Sequence, residues 1–392
     1  MTRKYIILRS VMEPTARTRG NGGSDGHSIS RPEVDVGELQ PRIAASLAQK
    51  KFVKAVAPVV PMKLIAPFAV APSAAAQTGS ATWGIQAVRA DTSPFTGAGI
   101  VVAVLDTGII PSHPAFAGVE IVRKNFTEAG DDDEHGHGTH CAATIFGREI
   151  EGLRIGVAPG VKKALIGKVL GEGGGGSDRV AQAIQWAVSS GAHVISMSLG
   201  IDFPGYVKSL ETEGVPTELA TSMALEGYRA NILLFERLAA FIAAQGAFMQ
   251  PAILIAAAGN ESRRDLSPDF EVAASPPSVA DGFVSVAAVG NNGHQGFTVA
   301  PFSNVGARVA GPGVDIVSAR HTGGLVSMSG TSMATPHVAG VAALWAQQLS
   351  NSDQLSGQLL VDRLIGTATT TGMSPGVDAG DTGAGLVQAP QG

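Results

Sequence analysis

Ile100-Val-Val-Ala-Val-Leu105-Asp106-Thr107-Gly108 is the stretch from which the fold can be read. Its six apolar residues, most of them β-branched, form a strand buried on both faces. An acid and a glycine follow closely, so a carboxylate stands at the sheet edge where the chain turns. Apolar runs of the same kind recur at 164–170, 193–198, 252–257 and 283–289. Helical patterns fall between them, near 178–190 and over 217–246. Buried strands alternating with helices predict an α/β domain with a mostly parallel central sheet and helices on both faces. Ligand sites in such sheets lie at the carboxyl ends of the strands. Asp106, Ser198 and Asn260 stand there.

The bulk composition agrees with this. The chain has 392 residues, enough for one large α/β domain and a small second one. Hydrophobic residues make up 44% and charged residues 16%, which supports a large core and excludes a disordered chain. A net charge of -5 with no long basic run makes nucleic acid an unexpected partner. No stretch of eighteen uncharged apolar residues occurs, so no membrane span is expected. The single cysteine, Cys141, excludes an internal disulfide.

Residues 1–77 read differently from the rest. A strand is expected at 4–8, a loop at 13–36 and a helix at 36–51 with Leu39, Ile43 and Leu47 on one side. A β-like pattern returns at 53–64, and 67–80 has the composition of an exposed linker. The apolar run from Tyr5 to Leu8 is too short for a signal-peptide core. A second stretch, 51–77, resembles a signal sequence but is interrupted by Pro58, Pro61, Pro67, Pro72 and Lys63. A cytoplasmic location is therefore expected, with secretion as the alternative.

Three segments carry chemistry. Asp106-Thr-Gly108 reads either as a carboxylate that orients a histidine or as an acid that caps a turn. His135-Gly-His137-Gly-Thr-His140 offers three histidines, but it lacks the glutamate of the helical zinc motif. His137 alone reads equally as a general base or as a structural histidine. In Ser329-Gly-Thr-Ser332-Met-Ala-Thr-Pro-His-Val-Ala-Gly340, Ser332 precedes a helix with Pro336 in its first turns. A serine there faces backbone N–H groups and the positive end of the helix dipole, which stabilise an oxyanion. The run Gly171-Glu-Gly-Gly-Gly-Gly176 has no following Gly-Lys-Ser/Thr, which argues against a phosphate loop and a nucleotide-binding protein.

Together the segments resemble the aspartate, histidine and nucleophile motifs of the subtilisin-like serine proteases, in that family's chain order. The resemblance runs from about residue 82 to the C-terminus. It implies an Asp106, His137, Ser332 triad, with Asn260 of Ala256-Ala-Ala-Gly-Asn260 donating to the oxyanion. It also implies substrate contacts at Gly174, Gly175, Gly176, Ser198, Leu199, Gly200, Ala258 and Gly259. Cys141 follows the histidine motif as a buried thiol and not as the nucleophile. The implied fold is a subtilisin-like three-layer domain over 78–392, preceded by a small α+β prosegment over 1–77 that inhibits until cleaved. Thr82-Trp-Gly-Ile-Gln-Ala-Val resembles the start of the mature segment, which puts cleavage near 71–80. Residues 201–231 read as an insertion. The expected partners are protein or peptide substrates and the chain's own prosegment. No cofactor is needed for the chemistry. A structural calcium is a further expectation with no metal ligands assigned, because Ile150 stands where the resemblance would place a calcium-binding asparagine. Asp131-Asp-Asp-Glu134 reads as another cation site or as a solvated acidic loop. Two readings compete with an active protease: a chain that cleaves only itself, and a non-catalytic binding module.

Overall fold

The computed structural model describes residues 2–13, 29–69 and 80–392. Its five expected apolar runs form the strands Val101–Asp106, Lys163–Lys168, Val194–Met197, Ile253–Ala257 and Phe283–Asn291. Glu120–Asn125, Phe297–Val299 and Val309–Pro312 complete an eight-stranded sheet among the described residues. Across it the order runs 297–299, 283–291, 253–257, 194–197, 101–106, 163–168, 120–125, with 309–312 pairing on 283–291. Every pairing is parallel except that of 297–299.

Side-chain alternation divides the core in two. Val102 and Val104 point into one layer with the helices His137–Phe146 and Thr331–Asn351. Ala103 and Leu105 point into the other with Ser177–Ser189 and Thr217–Gly246. Thr331–Asn351 is buried on all sides from Thr331 to Ala346, which is why its sequence has no polar stripe. A helix fixed all round by packing holds its first turn rigidly, and that turn carries Ser332.

The N-terminal residues form a separate antiparallel sheet. Arg3–Glu13 lies in its middle, between Ile29–Leu39 and Val53–Pro58. The loop expected at 13–36 is therefore strand over its described part from residue 29, and 14–28 lie outside the described residues. Val34 and Val36 alternate with Glu33 and Asp35, and the valines pair with Leu8 and Ile6. That period of two prevails over the helical pattern, so the helix begins only at Pro41 and ends at Ala48. Its buried residue is Ala44, whereas Ile43 is exposed. Ile6, Leu8, Ala55 and Ala57 join the core formed by the helices 177–189 and 217–246.

The presumed insertion contributes Phe203–Thr212 and the first half of a continuous 30-residue helix, so 231 is no structural boundary. In mid-helix, the buried Asn231 donates through Nδ2 to the Pro58 carbonyl at 2.9 Å. This helix thus serves as a platform for the N-terminal sheet.

From that sheet the chain does not leave the large domain. Pro61–Leu64 lies as a strand between Leu199–Ile201 and Gly175–Gly176, antiparallel to both. Phe68–Ala69 then pairs with Leu325–Ser329. The rest of the expected linker, 70–79, lies outside the described residues.

Candidate active site

Asp106 closes its strand and is buried. Its Oδ1 accepts from the Thr107 backbone N–H at 2.7 Å and lies 2.8 Å from His137 Nδ1. His137 is the first residue of its helix, behind Gly136 at φ 91°. The histidine is fully buried. Burial pulls its pKa down, but the neighbouring Asp106 carboxylate outweighs this and holds it well above the ordinary imidazole value.

Asp133 fastens the loop before this helix. Its Oδ1 accepts from the Gly136 N–H at 2.8 Å and the Thr107 hydroxyl at 2.8 Å. Oδ2 accepts from Thr139 N–H and Oγ1, at 2.8 and 2.7 Å. Burial alone would raise this carboxyl, but those donors hold it below the usual range. One charged, buried carboxylate thus ties the aspartate turn to the histidine helix. Gly138 fits closely against that turn, since a Cβ there would stand 2.2 Å from the Gly108 carbonyl oxygen.

Ser332 is the second residue of the buried helix and its Oγ donates to the Ile65 carbonyl at 2.8 Å. Asn260, just past the strand Ile253–Ala257, accepts through Oδ1 from Thr331 N–H at 2.8 Å and Thr331 Oγ1 at 2.9 Å. These bonds turn its Nδ2 outward, where it donates to the Ala66 carbonyl at 3.0 Å. The serine and asparagine motifs, far apart in sequence, therefore meet on one peptide segment of the same chain, and Cys141, in contact with His137 and with the Ser332 carbonyl, joins the histidine helix to the serine helix.

The expected substrate contacts divide on either side of that segment. Gly175 pairs with Met62 and Gly176 with Pro61, beside the turn at Gly174. Leu199 pairs with Leu64 and Gly200 with Lys63, and the Ser198 carbonyl accepts from the Ile65 N–H at 3.4 Å. A Cβ on Gly200 would touch the Ile65 side chain at 3.7 Å. Ala258 and Gly259 lie one step back, bonded to Asn304 and to Thr331 Oγ1.

Cys141 is buried with Sγ 3.7 Å from His137 Nδ1, and the thiol donates to the Ser332 carbonyl at 3.3 Å. Burial raises its pKa and keeps it a neutral thiol. The three histidines of the motif do not converge: His140 turns its Nε2 to the Ile316 carbonyl at 3.0 Å, and burial drives its pKa down to about 3. Nor do the acids at 131–134 converge. Asp132 pairs with Arg123, Asp131 accepts from Asn125, and Asp133 is occupied as described. In the loop where calcium was expected, Ile150 forms a backbone bridge with Leu153. The Arg148 guanidinium donates to the carbonyls of Phe146, Pro159 and Val161 nearby. Among the described residues the acids at 131–134 are not gathered within coordinating distance of one another, so they do not form a ready cation site.

Sequence reading missed Thr331 and Thr139, although both lie inside quoted motifs. Their role is to orient a neighbour, and only the fold shows which one. Asp133 was seen only as one of an acidic run. The cleft segment at 61–67 carried no signal beyond its β-like pattern.

A model of the subtilase family matches residues 97–385. Thermostable alkaline protease of Halalkalibacterium halodurans is 37% identical over 272 residues, 67% of this chain and 62% of that protein. Subtilisin DY of Bacillus licheniformis is 32% identical over 299 residues, 74% of this chain and 93% of that one. Among solved structures, fervidolysin from Fervidobacterium pennivorans, described as a keratinolytic enzyme related to subtilisin, has a TM-score of 0.64 at 23% identity. That alignment covers 99% of this chain and 60% of fervidolysin, and it bears on the fold. The cytoplasmic location expected from the short apolar run is corrected here: the matched relatives are secreted alkaline proteases, which points to secretion. The family match spans nearly the whole of the large domain, and this chain belongs to the subtilase family, the subtilisin-like serine endopeptidases.

Proposed function

We propose that the chain cuts internal peptide bonds of proteins through an acyl-enzyme on Ser332, and that it is made as a self-processing zymogen. One observation carries this reading: Ile65, at the end of a strand held between 175–176 and 199–201, rests its carbonyl 2.8 Å from Ser332 Oγ. Strand addition is a general way to hold a peptide for cleavage, since backbone bonds position any sequence.

In the reaction Ser332 Oγ attacks the carbonyl carbon while its proton passes to His137 Nε2. His137 Nδ1–H donates to Asp106, which fixes the tautomer and stabilises the imidazolium. The oxyanion takes the Asn260 amide and the Ser332 backbone N–H at the helix N-terminus. His137 then protonates the departing amine, and water releases the acyl group. No cofactor enters these steps. Thr331 and Asp133 act as positioning residues, on Asn260 and on the histidine helix.

The first substrate is the chain itself. Residues 1–65, within the expected 1–77 unit, act as the prosegment, with the N-terminal sheet seated on the 217–246 helix. The bond processed is Ile65–Ala66, upstream of the 71–80 stretch expected from composition. In the resting arrangement Asn260 donates to Ala66, one carbonyl beyond the reacting one. Cutting requires the Ile65 carbonyl to turn into that place, so the segment inhibits until it shifts.

Casein hydrolysis tests the activity. Wild type should digest casein in molar excess, Ser332→Ala should not, and a phosphonyl fluoride should label the Ser332 peptide. Equal hydrolysis by Ser332→Ala would reject the assignment. A single self-cleavage without casein turnover would favour a chain that processes only itself.

A further inference from the structure

Lys63 lies in the middle of the cleft strand, two residues before Ile65, paired with Gly200. Its ammonium stands 3.5 Å from Asp202 Oδ1 and 3.4 Å from Glu261 Oε1. The two carboxylates come from segments far apart in sequence, both beside the 199–201 strand. Asp202 directly follows the Leu199–Ile201 strand and caps the helix Phe203–Thr212, where its side chain accepts from Gly205 N–H. Glu261 directly follows Asn260 and is held by Asn304 Nδ2 at 2.8 Å. Beside them opens a cavity of about 460 Å³, lined in part by Phe203, Pro204, Tyr228 and Val272. Lys63 and Glu261 border this cavity, and its largely apolar walls suit a long side chain that has an aliphatic stem and a cationic tip. Both acids are anchored by other bonds, so neither must be ordered anew when a substrate arrives.

We propose that Asp202 and Glu261 form a subsite selecting substrates with lysine or arginine at the third residue before the cut bond, the place Lys63 holds. This rests on the protease reading of the site and on Ile65–Ala66 as its model substrate bond. The chain's own lysine is then the first ligand of a preference that the enzyme keeps towards other proteins. Both pairs are partly solvated, and exposed pairs each contribute modestly. The selection is therefore a preference of about fivefold, and not an absolute requirement.

The test uses quenched-fluorescence peptides copying 61–68, with Lys63 retained or replaced as Lys63→Ala and Lys63→Glu, and casein alongside. Active enzyme should cut the lysine peptide with about fivefold higher kcat/KM than the alanine one, mostly through KM, and the glutamate one more slowly still. The lysine advantage should shrink in 1 M salt, where the screening length falls to about 3 Å. The double variant Asp202→Asn, Glu261→Gln keeps similar shapes and hydrogen-bond acceptors, and its lysine-to-alanine ratio should fall to about one. Equal rates for the three peptides alongside brisk casein hydrolysis would overturn the subsite and leave the protease reading standing. A ratio unchanged in the double variant would likewise overturn it. No hydrolysis of casein or of any peptide would overturn the protease reading and this inference with it.

Discussion

At the scale of single residues, the site depends on how burial and charge compete at His137. The imidazole is wholly enclosed, which disfavours its charged form, yet Asp106 at 2.8 Å favours that form more strongly. A general base works only when unprotonated. With its pKa raised, His137 stays protonated to higher pH than a free imidazole, and activity appears as pH climbs through that raised value. The acid limb of kcat/KM against pH should therefore have its midpoint above 6.5, the ordinary value. A midpoint at or below that value would mean that Asp106 does not dominate the histidine's environment. Cys141, close by, does not compete as nucleophile because its thiol remains protonated.

At the scale of elements, the geometry is set by contacts too close for any side chain. The turn after Val101–Asp106 and the start of His137–Phe146 touch through Gly138 and the Gly108 carbonyl. A methyl group there meets backbone, which has no rotamer to yield. Gly138→Ala should push the histidine helix away, destabilising the fold by about 1–3 kcal/mol. A displacement near 1 Å at the base also costs roughly 10²-fold in kcat. Denaturant titration and casein kinetics measure the two effects, and wild-type values for both would refute this account of the contact. Most of the catalytic layer was legible because it obeys simple periods. Apolar runs such as 100–105 and 252–257 became central strands, and the uniformly apolar stretch after Ser332 became a buried helix. The N-terminal unit was read less well. Val34 and Val36 sit in a charged, proline-containing stretch, and only their partners on Arg3–Glu13 make the strand pattern decisive. Non-local pairing of this kind leaves little trace in a local window.

At the scale of the whole molecule, the chain is arranged around a peptide that it supplies itself. The N-terminal sheet rests on the 217–246 helix, and the strand after it enters the groove between 175–176 and 199–201. The following residues pass Ser332 and pair with 325–329. No motif announced this. Pro61-Met-Lys-Leu-Ile65 looks like any short β-segment, and its meaning comes from where the fold puts it. The same placement explains why Asp202 and Glu261 escaped notice: they acquire a shared role only when Lys63 lies between them. The residues proposed to do chemistry, Asp106, His137 and Ser332, were legible through their motifs. Residues that only position a neighbour, such as Thr331 and Asp133, were not, because each acts through a partner distant in sequence.

The most direct test of this account is the intact mass of purified wild type and Ser332→Ala, before and after incubation at neutral pH. The account predicts that wild type loses residues 1–65 by cleavage after Ile65 while Ser332→Ala stays whole. Loss of the same segment from both proteins, or casein digestion by a wild type that keeps its N-terminus intact, would contradict it.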